Sequence, residues 1–295
     1  MSGYVTRIAP SPTGFAHIGT MRTALFSWLL AKATGGRFLL RMDDTDADRN
    51  IKEAEQPIFD GLEWLGLEWD EFHRQSTRTD TYQAAATILL EKDYAFKADN
   101  GAVILKWHDW MPRSWKDEVV GEVPITDTNI EQIDGRTVLL RGGDKEGQPT
   151  YQFASVVDDY MMGINYICRG TDHITNTAKQ VAIWSTLDHA RGDAVSTLPK
   201  FAHVGLIFAN KKKMSKRDGA ASLLDYRDQG YHPDALFNFL LRMGWGPTVD
   251  NKENSVLSRE RALELFIDGG RMRSANANFD AAKLAWFDKV MKRGK

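Results

Sequence analysis

Apolar residues at Ile18, Met21, Leu25, Trp28 and Leu29 recur at intervals of three and four, which predicts a helix with one apolar face. Gly35-Gly36 ends it. The mostly apolar run Arg37 to Met42 then reads as a short strand, completing a strand–helix–strand unit of the parallel-sheet kind. Ile51, Ala54, Ile58, Leu62 and Leu65 predict a second helix, and Tyr82, Ala85, Ala86 and Leu89 a third. From about Tyr94 to Pro149 the pattern changes to short β-like runs, Ala102 to Lys106, Glu118 to Val123 and Thr137 to Leu140, with a turn at Asp134-Gly135. Alternation of helix and strand resumes over Thr150 to Asp159, continues through a strand from Ile164 to Cys168, and adds a helix over Thr177 to Leu187 and a strand over Val204 to Phe208. Beyond that the chain predicts only helices, over Pro233 to Met243, Ser258 to Phe266 and Asp280 to Val290. The fold class expected is α/β, a parallel sheet interrupted by a small β-rich insertion and followed by a helical region.

The opening run Arg7 to Thr20 reads as a strand end, a Pro/Gly turn and a helix start. That junction suits a phosphate, because a helix N-terminus offers unpaired N–H groups and Gly14 and Gly19 allow close approach. Neither a P-loop nor a G-x-G-x-x-G occurs in the chain. Asp43, after the second strand, stands where open α/β sheets bind ligands, whereas Asp46 or Asp48 could simply cap a helix. Arg169 again closes a strand, with a fork of donors fit for a carboxylate or for an ion pair with Asp172. The run Lys211 to Gly219 carries Lys213, Ser215, Lys216 and Arg217, and is either a solvated loop or a cationic flap over polyphosphate. Trp107, Trp110 and Trp115 could stack on nucleic acid or pack inside a small β subdomain. Arg271, Arg273 and the tail from Lys289 form a second basic cluster, suited to RNA phosphates or to a frayed end.

At 295 residues and a formal charge of -2, the chain can bury a sizeable core and has no global attraction for nucleic acid, so RNA contact would need local patches. One cysteine, Cys168, excludes an internal disulfide framework or a multi-cysteine zinc site and points to a reducing compartment. No membrane-length apolar run and no signal pattern occur, so a soluble cytoplasmic protein, without membrane association, is expected.

Taken together, Arg7 to Thr20, Arg41 to Asp46, Pro149 to Gly163, Arg169 to Asn176 and Lys213 to Gly219 resemble the glutamyl-tRNA synthetase branch of the class I aminoacyl-tRNA synthetases. His17-Ile18-Gly19-Thr20 stands at the HIGH motif with Thr in place of the last His. Lys213 to Arg217 stands at the KMSKS motif with Arg in place of the last Ser. The resemblance implies a Rossmann-type catalytic domain in two halves, 1–93 and 149–225, an acceptor-stem-binding insertion at 94–148 and a helical stem-contact region at 226–295, with the anticodon-binding domain absent. It implies ATP-dependent activation of L-glutamate and transfer to the 3′ end of tRNA, with Mg²⁺ accompanying ATP, no zinc, and a monomer that contacts the acceptor stem. His17 and Lys216 would be catalytic, and Gly19, Thr20, Lys213, Ser215 and Arg217 would join them around ATP. Arg7, Ala9, Ser11, Asp43, Tyr151 and Arg169 would hold glutamate. Bacterial glutamyl enzymes usually carry Glu where Asp43 stands, and Asp is the residue more typical of glutaminyl enzymes. Two alternatives remain: the paralogue that glutamylates queuosine in a tRNA anticodon, which generally carries zinc-binding cysteines in the insertion, and a catalytically idle tRNA-binding relative.

Overall fold

A computed structural model describes residues 3–13, 17–192, 197–209, 212–213, 222–248 and 256–293. Strand β1 (Val5–Ile8) leads into helix α1 (Ile18–Lys32), and β2 (Arg37–Met42) returns parallel to β1. Helix α2 (Gln56–Trp64) carries the chain to β3 (Glu71–Arg74), which pairs parallel with β2. The short pattern of β3 had no sequence signal, because none of its four residues is fully buried. Nor does the second predicted helix begin at Ile51: that side chain is exposed, and α2 starts after a separate turn at 52–54.

Helix α3 (Thr79–Glu91) precedes two antiparallel pairs, β4 (Ala95–Lys97) with β5 (Val103–Leu105), and β6 (Ser114–Asp117) with β7 (Gly121–Pro124). A helix the alternation did not reveal, α4 (Asp127–Ile133), follows, capped reciprocally by Thr126 and Asn129, and β8 (Val138–Leu140) then joins β5. Helix α5 (Tyr151–Met161), β9 (Tyr166–Gly170), α6 (Ile174–Arg191) and β10 (Lys200–Val204) complete the second half, with β9 and β10 parallel. Strand β6 pairs parallel with β10, so part of the 94–148 stretch lies in the same sheet as the second half. Trp115 is buried there, while Trp110 is partly exposed and stacks on His189 at 4.2 Å.

The predicted strand over Val204 to Phe208 is in fact two. β10 ends at Val204, Gly205 and Leu206 turn, and β11 (Ile207–Ala209) pairs with β12 (Lys212–Lys213). The turn presses against a later segment: a Cβ on Gly205 would come within 2.1 Å of the Ala275 carbonyl oxygen. Helices α7 (Leu223–Asp228) and α8 (Pro233–Arg242), strand β13 (Trp245–Pro247), helix α9 (Arg259–Phe266), strands β14 (Gly270–Met272) and β15 (Ala277–Asn278), and helix α10 (Ala281–Arg293) follow. The expectation of helices alone beyond 226 is thereby corrected: β13 pairs with β14, and β15 with β11. Each is too short to show a period. The basic tail is helical to Arg293, anchored by the buried Leu284 and Phe287.

The two sheets meet where the Asn165 N–H donates to the Val5 carbonyl at 3.1 Å and its Oδ1 accepts from the Val5 N–H at 2.8 Å. Alternation along each strand feeds two cores. Phe38, Leu40, Cys168 and Ala202 face α1, α8 and α9, whereas Leu39, Ile167 and Phe201 face α3, α5 and α6. Helix α1 departs from its predicted single apolar face. Ala24, Phe26, Leu30 and even Arg22 are buried as well, because α8 and α9 cover the side turned away from the sheet.

Candidate active site

β1 and β9 lie side by side but connect to neighbours on opposite flanks, and ligands of open α/β sheets bind beyond the strand ends at such a point. A cavity of about 340 Å³ lies there. It is lined by Arg7, Ala9, Ser11, Asp43, Tyr151 and Arg169, and also by His17, Gly19 and Thr20, so the structure gathers every predicted side chain that it describes. Ser215, Lys216 and Arg217 lie outside the described residues, and Lys213 is described only as backbone, paired with Phe208.

On one side of the cavity α1 begins. His17 is its N-cap, its Nδ1 accepting from the Thr20 N–H at 3.2 Å, with Nε2 3.4 Å from the Thr20 hydroxyl. Gly19 leaves room for that ring. A Cβ at position 19 would stand 3.0 Å from His17 Cε1. The helix start therefore presents an imidazole, a hydroxyl and the first-turn N–H groups to the cavity, a set suited to phosphate oxygens.

The other side is a network of charges on the α5 face of the sheet. Arg7 is forked onto Asp159, Nε to Oδ1 at 3.0 Å and Nη2 to Oδ2 at 3.1 Å. Arg41, fully buried, donates from Nη1 to the same Asp159 Oδ1 at 2.6 Å and from Nε to Asp43 Oδ1 at 2.7 Å. Burial works to raise the Asp159 carboxyl, but Arg7 and Arg41 overcome it and hold the group below its ordinary value. For Asp43 burial wins over the pull of Arg41, and its carboxyl is raised. Both Asp43 oxygens already accept from Arg41, leaving only their remaining lone pairs for a ligand amine.

Arg169 is placed differently. Its Nη2 donates to Thr177 Oγ1 at 2.8 Å and Gln180 Oε1 at 2.6 Å, and its Nε to His203 Nε2 at 3.2 Å. All three partners are neutral, so the ion pair with Asp172 that its position also allowed does not form among the described residues. Burial pushes this guanidinium down to about 10. A buried cation on neutral partners at a cavity wall is a site for an anion. Tyr151, at the first turn of α5, places its hydroxyl 3.3 Å from His173 Nδ1.

Several side chains here were not anticipated. Asp159 and Arg41 are the charged frame, and the signal was available: Arg41 alternates with the buried Leu40 and Met42 inside an apolar strand. Arg22 is a second buried cation at the cavity, donating to the Met243 carbonyl at 3.0 Å with Nε unpaired, and burial lowers it to about 10. An arginine inside the apolar repeat of α1 marked it. Nothing in the sequence marks His203 or Asp117, since His203 precedes the predicted strand, which begins at Val204. Among the described residues no group of three His, Cys, Asp or Glu side chains is arranged to hold a metal ion, and no helix is long and apolar enough to cross a membrane.

The catalytic domain of the class I tRNA synthetases for E and Q matches residues 4–109 and 102–286 of this chain. A glutamate–tRNA ligase of Aquifex aeolicus is 35% identical over 333 residues, an alignment covering 98% of this chain and 67% of that protein. Glutamate–tRNA ligase 2 of Neorickettsia sennetsu is 41% identical over 281 residues, covering 95% and 64%. The chain thus spans about two thirds of the length of these relatives. Among solved structures, a glutamate tRNA ligase of Elizabethkingia meningosepticum in complex with its amino acid superposes with a TM-score of 0.81 at 28% identity, over 100% of this chain and 70% of that one. The glutamate-tRNA synthetase of Elizabethkingia anophelis gives 0.80 at 28% identity, over 99% and 71%.

Proposed function

Since the chain belongs to the class I tRNA synthetases for E and Q, matching their catalytic domain over most of its length, we propose that it acts as a glutamate–tRNA ligase. In this reaction a glutamate α-carboxylate oxygen attacks the α-phosphorus of ATP, the bond to the β-phosphate oxygen breaks, and pyrophosphate leaves. A ribose hydroxyl at the tRNA 3′ end then attacks the adenylate carbonyl and AMP departs. Mg²⁺ arrives with ATP and offsets its phosphate charge. No enzyme nucleophile is required.

The observation that carries the choice of amino acid is Arg169, a buried guanidinium with neutral partners at the cavity wall. A glutamate side-chain carboxylate supplies the missing charge. Glutamine would leave the cation without a paired anion, and pockets built on buried polar pairing discriminate by about 10⁴ or more. Tyr151 and the remaining Arg7 nitrogen assist, Asp43 takes the α-amino group, and Ala9 and Ser11 line its approach. His17, Gly19 and Thr20 meet the nucleotide at the α1 start, and Lys213, Ser215, Lys216 and Arg217 are assigned to its phosphates. Catalysis then rests on positioning and on cationic stabilisation of the oxygens that gain charge.

Glutamate-dependent ATP–pyrophosphate exchange in the presence of a full tRNA pool tests the proposal. Exchange above background is expected, and in a parallel charging reaction radiolabelled glutamate should end on the terminal ribose. Silence with tRNA present, or label on the anticodon through a periodate-resistant bond, overturns it.

A further inference from the structure

Three strands bring a line of side chains together on one face of the sheet. Asp117 ends β6, His203 lies on β10, and Arg169 lies on β9 directly beside His203 in the parallel register. Asp117 Oδ1 accepts from the Val119 and Val120 N–H groups at 2.9 and 2.8 Å, and Oδ2 lies 2.6 Å from His203 Nδ1. An ionised carboxylate only accepts, so His203 carries its proton on Nδ1. Its Nε2 must then be a lone pair, because the group facing it is the Arg169 Nε–H, which only donates. The Thr177 hydroxyl, 3.1 Å from Nε2, has its proton drawn to the His173 carbonyl at 3.0 Å as well.

With Nε committed to His203 and both Nη2 hydrogens to Thr177 and Gln180, only the Nη1 donors of Arg169 remain for a ligand among the described residues. We propose that His203, fixed in its Nδ1–H tautomer by Asp117, is a positioning residue that aims Arg169 Nη1 at the substrate carboxylate. This rests on the reading that Arg169 receives that carboxylate. Remove the acceptor at Nε2 and the guanidinium loses one of the three contacts that fix its plane. Put a proton there and two donors and two positive charges face each other. Burial, joined by Arg169 and opposed by Asp117, keeps His203 below the usual histidine range, so the aligned state persists at neutral pH. The charged or titratable groups facing His203 are Asp117 from β6, Arg169 from β9, and Asp172 and His173 from the turn before α6.

Asp117→Asn separates positioning from bulk. The Val119 and Val120 N–H groups, joined at 3.3 Å by that of His203, hold the amide oxygen at the Oδ1 position, which turns the amide NH₂ toward His203 Nδ1 and forces the proton onto Nε2, against Arg169. In the full chain, nitrogen NMR is expected to show the Nδ1–H tautomer in the wild type and Nε2–H in Asp117→Asn. The variant's glutamate KM should rise about tenfold to a hundredfold, the scale of a lost hydrogen bond to a charged group, with ATP KM little changed. Wild-type glutamate KM should rise in acid in step with His203 protonation.

A wild-type Nε2–H tautomer, or equal changes in both KM values for Asp117→Asn, overturns the inference. Should that variant fail to fold, a glutamate KM indifferent to His203 protonation in the wild type overturns it. Arg169→Lys separates the two readings. If it leaves glutamate KM unchanged, the carboxylate assignment itself is wrong; if it raises KM while Asp117→Asn does not, only the positioning role fails.

Discussion

Arg7 and Arg41 converge on a single oxygen: Asp159 Oδ1 accepts from Arg7 Nε at 3.0 Å and from Arg41 Nη1 at 2.6 Å. One helix carboxylate therefore ties together the first two strands under the cavity. Asp159→Ala leaves two buried guanidinium groups without their shared anion, and uncompensated buried charge costs about 3–5 kcal/mol. A large fall in melting temperature is expected, and a change of only a degree or two would show that Asp43 and water compensate.

Arg169→Ala is expected to raise glutamate KM about a hundredfold or more while leaving ATP KM within a few-fold, since its partners are neutral and its loss strands no carboxylate. Exchange kinetics with each substrate varied in turn separate the two constants. Equal weakening of both would mark Arg169 as structural.

The two ends of the opening stretch should fail differently. Arg7→Ala breaks the fork with Asp159, so both melting temperature and glutamate KM should worsen. His17→Ala removes the N-cap acceptor of α1, costing stability by only about 1 kcal/mol, and should lower the exchange rate at saturating glutamate and ATP. Matching kinetic defects in the two variants would contradict the division of the cavity into amino-acid and nucleotide sides.

Stability should decline in acid from the histidine range onward. His173 is lowered to about 4, chiefly by burial and next by Arg169, and His203 is lowered too. Their unfolded values lie near about 6.5, so between there and about 4 the unfolded chain binds more protons, and stability falls as pH drops through that window. Asp159 and Asp117, both lowered, contribute stability above about 4 that is lost at still lower pH. Asp43, raised, acts in the opposite sense as pH falls toward its folded value. Thermal melts from about pH 7.5 to 4 should show the decline, and His173→Gln should flatten its upper part. A flat wild-type curve down to about pH 5 would contradict the lowering of these imidazoles, of which His203 is buried and His173 half-buried.

The residues that repeat locally are legible in the sequence alone. The run Phe38-Leu39-Leu40, buried on both faces, announced a central strand, and the turn from Arg7 to Thr20 announced the start of α1 and the cavity beside it. Periodicity reports burial against something without saying what. So α1 was expected to hide one face, and only the return of α8 and α9 from more than two hundred residues away explains why Phe26 and Arg22 are buried on another. The short strands β3, β13, β14 and β15 have too few residues to carry a period, and their pairing depends on segments distant in sequence.

Charge was the sharper limit. The sequence by itself determined the α/β order, the helix-start site and Asp43 and Arg169 as candidates, because strand ends and residue type suffice for that, whereas Arg7 became one only through the family resemblance. Tertiary structure alone decided which of these cations is already neutralised. Arg7 spends its fork on Asp159, Arg41 divides itself between Asp159 and Asp43, and among the described residues Arg169 donates to His203, Thr177 and Gln180. A pair's strength depends on distances of a few ångströms between residues up to 152 positions apart. No local pattern encodes such a distance, and it is the folded sheet, by setting β9 beside β10, that gives Arg169 neutral hydrogen-bond partners and no paired carboxylate among the described residues.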